Sequence, residues 1–265
     1  VDVEVKTANV NDVLEALTAS TDPRRIEYAE NLLARLESAL SNGEAPRYPD
    51  EDSYLNTLRV IGSTGSVQKI AKAKAVLWRM KDNLTELSKQ NKKKEKIVAV
   101  FNEFIRVCTS YSAQTEQEGM PVLKEALIAL ELMRSFNELQ PNAATYSELL
   151  DACHNLLPVG KARASFVERV FTLCCVDGMV DAIVLARLRA AATAQQYSLL
   201  VVSRSEEIEG AKVVPEHWTT NALGGKVISV DGRTTVPLGV DGRPTTTMAM
   251  QEFKMRRLRD KRNQK

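Results

Sequence analysis

The side chains best suited to covalent or metal chemistry are four cysteines and two histidines. Cys108 and Cys153 hold the same position in two helical patterns, while Cys174 and Cys175 are adjacent. Adjacent cysteines on a helix do not bridge each other readily, and no pair has the spacing of metal ligands. His154 directly follows Cys153, so the two side chains point apart and a thiolate pair is not expected. We therefore predict buried thiols, a reducing compartment and neither metal nor cofactor.

Two basic runs could contact phosphate groups. One is the polar stretch 88–96, and the other is the segment 252–265, which has seven basic and two acidic residues. The candidate side chains are Lys92, Lys93, Lys94, Arg256, Arg257 and Arg259. A solvated helix end or loop is the other interpretation of the first run. Because the chain carries +2 and the last segment +5, the rest carries −3, which is not the charge of a strongly basic nucleic-acid-binding body.

Motifs of catalysis are not found. The sequence has no Walker-type phosphate loop, no paired-glycine dinucleotide fingerprint and no metal-binding helix motif. We therefore predict a protein that is not an enzyme. No apolar run reaches the roughly 18 residues that span a bilayer, so no membrane span is expected. Because the chain begins at Val1 rather than Met, we expect its natural N-terminus, with any targeting segment, to lie upstream.

The elements that would position any site are helices, because two apolar patterns recur. An Ala-centred pattern with offsets of three, four and seven covers 29–36, 73–80 and 126–133, and more loosely 164–171. A pattern that begins with an aromatic residue interleaves with it at 54–61, 101–108 and 146–153. Both have the spacing of one helix face. Recurring helix pairs predict an all-α fold, an α-solenoid of stacked antiparallel hairpins.

Turn residues predict where individual helices begin and end. Asn11 or Asp12 is expected to cap a short first helix, and Asp50, Asp52 or Ser53 the helix with the first aromatic. Residues 110–120 are expected to form a loop because they are polar and contain Gly119. Pro121 is then expected to open the next helix. A single Ala-rich helix is predicted over 179–197.

The composition changes after residue 197. Residues 198–250 are rich in Val, Thr, Gly and Pro, and 226–237 predict a β-hairpin around the two-residue turn Asp231-Gly232. From Thr247 onward the chain is predicted to be helical and basic. We therefore divide it into a helical-repeat domain, 1–197, and a C-terminal extension, 198–265, anchored by Trp218.

The stretch 139–153 (LQPNAATYSELLDAC) resembles the pentatricopeptide repeat. Repeats of that family typically start after Pro-Asn or Pro-Asp and have a Thr-Tyr pair leading into the first helix, as do Pro141-Asn142 and Thr145-Tyr146 here. The stretch 48–54 (YPDEDSY) is a weaker match, and 125–133 resembles the second helix of a repeat. The aromatic positions are 47 and 45 residues apart, against a typical repeat of about 35, so the copies are longer and less regular than the family's repeat. Tetratricopeptide and other helical hairpins stay open for the weaker copies.

The resemblance implies single-stranded RNA as the partner, with one base read per repeat. It implies two reading pairs, Asn102 with Asn142 and Ser147 with Asp177, whose small polar side chains can hydrogen-bond a base edge. The preceding pair, Leu55 with Ile97, cannot do so. Helix capping, turn chemistry or a solvated helix face is the alternative interpretation of the four polar residues.

Two functions follow from these observations. The first is an RNA-binding protein acting in organellar RNA metabolism, in a mitochondrion or chloroplast, or within a ribonucleoprotein, as the resemblance implies. The second is a non-catalytic scaffold for protein–protein interaction or a structural subunit of a large assembly. The repeat and the basic runs favour the first, and the slightly acidic body and irregular repeats favour the second.

Overall fold

A computed structural model of the chain describes residues 6–43, 48–65, 68–83, 94–136, 138–208, 211–223, 227–232 and 234–235. The described chain is mostly helical, so the all-α prediction is confirmed at that level. Contacts divide it into two units, Val1–Arg163 and Ala164–Lys265. The boundary drawn from composition at 197/198 lies inside the second unit and stays a prediction.

The described helices and strands occur in the following order along the chain. The helices are α1 (Thr7–Ala19), α2 (Arg25–Ser41), α3 (Glu51–Gly62), α4 (Lys69–Asp82), α5 (Lys94–Thr109), α6 (Glu116–Ser135), α7 (Ala143–Leu156), α8 (Lys161–Val176), α9 (Ala182–Ala191), α10 (Ala194–Leu200) and α11 (Thr220–Leu223). The strands are β1 (Glu206–Ile208), β2 (Ala211–Val213), β3 (Val227–Ile228) and β4 (Thr234–Thr235). Short 3-10 turns cover Val202–Arg204 and Glu216–Trp218.

In the first unit the helices alternate between two sets. The first helices, α1, α3, α5 and α7, contact one another in series. The second helices, α2, α4 and α6, each contact the first helix before and after them in sequence. Ion pairs also join the second helices: Arg79 on α4 lies 2.5 Å from Glu37 on α2, and Lys74 on α4 lies 2.7 Å from Glu125 on α6. Each first helix therefore presents one side to its successor along the row.

Both apolar patterns are buried, as their periodicity predicts. The aromatic residues that begin the second pattern, Tyr54, Phe101 and Tyr146, have no exposed surface. The alanines that begin the first three copies of the other pattern are equally inaccessible, and the leucines four residues further on are buried with them. These leucines are Leu33, Leu77 and Leu130. The helical period in the sequence thus identifies the core of the first unit.

Helix α6 begins earlier than Pro121, so the prediction of a loop over 110–120 is wrong for 116–120. Thr115 is the N-cap, and its hydroxyl accepts a hydrogen bond from the Glu118 amide at 3.3 Å. Pro121 lies inside the helix. Gly119 serves close packing: a Cβ there would overlap the carbonyl oxygen of Leu156 at the end of α7. The glycine marks the contact between two helices, and sequence alone does not separate that use from a loop.

The single helix predicted over 179–197 is two helices in the second unit. Asp181 caps α9 by accepting from the Val184 amide at 2.7 Å, and Thr193 caps α10 by accepting from the Gln196 amide at 3.2 Å. Thr193 stands among alanines and offers the backbone an alternative to a continuous helix. The chain therefore breaks where a capping side chain interrupts the Ala-rich sequence.

The predicted hairpin is present, but its turn is not the predicted one. β3 pairs antiparallel with β4, and Ile228 stands opposite Thr234, which leaves five residues between them rather than two. Gly232 within this connection has a φ of 86°, a value that favours glycine. β1 and β2 form a second hairpin that the sequence analysis missed.

Trp218 anchors its segment within the second unit. Its ring meets Phe171 of α8 edge to face, with centroids 5.6 Å apart, and its carbonyl accepts from the Val180 amide at 2.8 Å. These two contacts hold the Glu216–Trp218 turn against α8 and the segment that directly follows it. The anchoring role predicted for Trp218 is therefore confirmed within the second unit.

Candidate nucleic-acid interface

Asn102 and Asn142 meet where α5 contacts the start of α7. Asn142 is the N-cap of α7, and its Oδ1 accepts from the Thr145 amide at 3.0 Å. The Asn102 Nδ2 donates to the same oxygen at 3.2 Å, and the Thr145 hydroxyl donates to Asn102 Oδ1 at 2.7 Å. Asn142 is exposed and Asn102 is half-buried. The structure thus brings the first predicted reading pair together, and the capping interpretation of Asn142 is also correct.

The same arrangement occurs between α1 and α3. Asp50 is the N-cap of α3 and accepts from the Ser53 amide at 3.0 Å. Asn11 Nδ2 donates to Asp50 Oδ1 at 2.9 Å, and the Ser53 hydroxyl donates to Asn11 Oδ1 at 2.8 Å. Each case joins an Asn in a first helix to the cap of the next first helix. We call these two groups, Asn11–Asp50–Ser53 and Asn102–Asn142–Thr145, the amide junctions.

The sequence does not mark Asn11 as an interface residue, because α1 has no aromatic residue at the preceding position. Asn11 follows the buried Val10, as Asn102 follows the buried Phe101. The expectation that Asn11 or Asp12 caps the first helix is wrong, since α1 begins at Thr7 and Lys6 is its N-cap. Asn11 lies inside the helix, where its side chain reaches Asp50.

The second predicted pair is placed differently. Ser147 lies on α7, is 7% exposed, and its hydroxyl has no hydrogen-bond partner among the described residues. Asp177 follows α8 in the second unit, and its carbonyl oxygen accepts from Asn221 at 2.8 Å. The residue that caps α9, the position that Asp50 and Asn142 hold for their helices, is Asp181. The reading role of Ser147 and Asp177 stays a prediction.

Of the two predicted basic runs, the structure describes residues 94–96, and the Lys96 Nζ there lies 2.5 Å from the Asp52 carboxylate. The Lys94 Nζ lies 3.4 Å from the Glu138 carboxylate, an exposed ion pair. Lys92, Lys93, Arg256, Arg257 and Arg259 lie outside the described residues. The role of both runs in binding phosphate therefore stays a prediction.

A charged group, absent from the sequence-based candidates, lies between α3 and α5. The Glu103 carboxylate on α5 is hydrogen-bonded by Arg106 of the same helix and lies 3.8 Å from Arg59 Nε of α3. Arg59 also donates to Asn56 Oδ1 at 3.2 Å, and Asn56 Nδ2 donates to the Asn11 carbonyl at 3.5 Å. A sequence signal exists: Arg stands at the sixth position of both 54–61 and 101–108.

The cysteines are placed as unreactive thiols. Cys108, Cys153, Cys174 and Cys175 are all buried. Burial raises the pKa of the Cys108, Cys153 and Cys175 thiols to about 12, and it raises the pKa of Cys174 as well. They are therefore protonated at neutral pH and poor nucleophiles, which agrees with the prediction of small buried apolar side chains.

Within the described ranges, there is no group of three or more His, Cys, Asp or Glu residues that could hold a metal ion. A bilayer-crossing helix is likewise not found there, because none combines the required length with the required hydropathy.

Comparisons with known proteins return no match: no family model fits the chain, and neither curated proteins nor solved structures match it. The resemblance around Tyr146 therefore stays a prediction.

Proposed function

We propose that this chain is a non-catalytic helical-repeat protein that binds single-stranded RNA along its first helices. On this proposal the helix pairs stack as a pentatricopeptide-like solenoid, and the protein acts in a mitochondrion or chloroplast or in a ribonucleoprotein. The observation that carries it is the contact between Asn102 and Asn142 at an amide junction. Amide side chains can both donate to and accept from a base edge, and this pair lies at the exposed start of α7.

The spacing of the amide junctions supports a repeating readout. One junction joins α1 to α3 and the other joins α5 to α7, and both use an Asn directly after a buried apolar residue. Between them, Leu55 is half-buried and Ile97 is buried, and neither can hydrogen-bond a base. The proposal therefore gives two reading positions separated by one that does not discriminate bases.

The experiment exchanges one cap for the other. Asp is the cap at position 50, so Asn142→Asp keeps a good N-cap while replacing an amide donor with a carboxylate. We expect selection of bound sequences from a random RNA pool to show a changed base at one position. Asn155→Asp, an exposed site on the same helix, adds the same charge and should leave the preference unchanged. An identical preference in wild type and Asn142→Asp would reject base reading by this pair.

A protein-binding scaffold is the second candidate. Its support is in the second unit, where Val176, Ile183 and Leu199 are exposed apolar side chains on three successive helices. A salt titration separates the two candidates, because phosphate contacts make RNA affinity fall steeply with salt. Failure to bind any single-stranded RNA at low salt, where this attraction is strongest, would favour the scaffold.

A further inference from the structure

Two guanidinium groups converge on one carboxylate oxygen between α3 and α5. Arg59 Nε lies 3.8 Å from Glu103 Oε2, and Arg106 Nη2 is hydrogen-bonded to the same atom. The exposed fractions of the side chains differ sharply: 7% for Glu103, 42% for Arg59 and 54% for Arg106. The carboxylate is thus covered, and both cations reach solvent.

The group has a net positive charge and N–H donors that its internal contacts do not use. One carboxylate balances one guanidinium, so Arg59, Glu103 and Arg106 together carry a net charge of +1. Each guanidinium has five N–H donors, and the contacts with Glu103 and Asn56 use only some of them. The planar fork of a guanidinium fits two oxygens of a phosphate, and two forks held side by side suit one phosphate better than a lone surface Arg does.

The location connects this cation pair with the proposed reading pair. Asn102 and Arg106 are four residues apart on α5, so they share a face and lie about 6 Å apart along the helix axis. Phosphate contacts position a nucleic acid, whereas base contacts specify its sequence. Neighbouring turns of one helix therefore offer the two kinds of contact that a bound strand requires.

We propose that Arg59 and Arg106 together bind one backbone phosphate of the RNA strand, and that Glu103 is a positioning residue that holds the two forks side by side. This inference rests on the proposed function for the identity of the ligand as RNA. The chemistry itself, two guanidiniums and one phosphate, belongs to the protein alone and can be tested without RNA.

The first experiment measures the salt dependence of RNA binding. For single strands, each neutralised phosphate contributes about 0.7 to the slope of log affinity against log salt. This slope is negative, and in Arg59→Gln/Arg106→Gln its magnitude should decrease by about 0.7. Binding should weaken equally for all sequences. The matched control, Arg35→Gln/Lys124→Gln, removes two exposed charges from α2 and α6 and should leave the slope unchanged. Equal slopes in the two double variants would overturn the proposal, and a fall of about 1.4 would overturn the shared phosphate.

The second experiment uses inorganic phosphate and wild-type protein. The Nε–Hε resonances of Arg59 and Arg106 should shift together during the titration, and that of Arg35 should not. If RNA does not bind at all, the proposed function fails, and this titration still decides the inference. Joint saturable shifts would retain the phosphate site, whereas equal small shifts at every exposed Arg would reject it.

Discussion

Helix α5 meets its two neighbouring first helices through different chemistry. Towards α7 it contributes Asn102 to an amide junction, in which each oxygen already accepts from a neighbour. Towards α3 it contributes Glu103 and Arg106 to a charged group in which two guanidiniums remain exposed. The neutral side fixes the start of the next helix and presents an amide, while the charged side presents cations. On the proposed function, base choice and phosphate attraction are divided between the contacts that α5 makes with α7 and with α3.

The most destabilising substitution is expected at Gly119, where α6 packs against α7, the helix that Asn142 caps. Gly119→Ala places a methyl group against the Leu156 carbonyl, which is backbone and cannot move aside cheaply. We expect a loss of about 3 kcal/mol in the free energy of unfolding, measured by urea denaturation, because α6 and α7 must separate. Gly65→Ala is the control, since a Cβ there meets nothing within 4 Å, and it should change stability by less than about 0.5 kcal/mol. Equal stabilities of the two variants would refute the close approach.

The next effect concerns the charged side. Glu103→Gln leaves two neighbouring guanidiniums without their carboxylate, so we expect a loss of about 1–2 kcal/mol of stability. RNA affinity at low salt should fall, although the group changes from +1 to +2, because the two guanidiniums are no longer held side by side on one phosphate.

The direction of the affinity change separates a positioning role from simple charge neutralisation. Added positive charge alone would raise the affinity about fivefold, at about 1 kcal/mol for a surface charge pair in water. Glu95→Gln is the control, because Glu95 is an exposed carboxylate on the same helix and should affect stability little. If Glu103→Gln raised the affinity, Glu103 would only neutralise charge, and its role in positioning Arg59 and Arg106 would be refuted.

A smaller effect tests the neutral side. Asn142→Ala removes the cap of α7 and should cost about 1 kcal/mol in urea denaturation, within the usual range for an N-cap. Asn142→Asp should retain nearly all of the wild-type stability, as Asp50 caps α3 by the same bond. A large loss in the Asp variant would mean that the amide donor is structural, and the reading role of Asn142 would lose its basis.

The sequence predicts the features that depend on local order and not those that depend on register between helices. Tyr54, Phe101 and Tyr146 are recognisable because a buried helix face repeats every 3.6 residues. Asn142 is recognisable as a cap because it directly precedes a helical pattern. Such signals need only one helix.

Contacts between two helices cannot be predicted from such local signals. Gly119 is a helix contact only because Leu156 lies opposite, and no local signal separates that use from a loop. Arg59 and Glu103 are 44 residues apart, so their contact depends on how α3 and α5 are aligned. Asn11 was missed since Val10 replaces the aromatic residue that marks the other copies. The site residues found only in the structure are thus the ones that join two first helices.

The smallest expected effect concerns Ser147, the predicted reading residue that follows Tyr146 on α7. Its hydroxyl is buried and has no hydrogen-bond partner among the described residues, so it bears the cost of lost hydration without compensation. Ser147→Ala should therefore be neutral or stabilise the protein by up to about 1 kcal/mol in urea denaturation. If Ser147 reads a base, the same variant should also relax the RNA preference at one position, because a bound base would be the missing partner. A variant that is more stable and equally selective would remove Ser147 from the interface and leave Asn102 with Asn142 as the reading pair of α5 and α7.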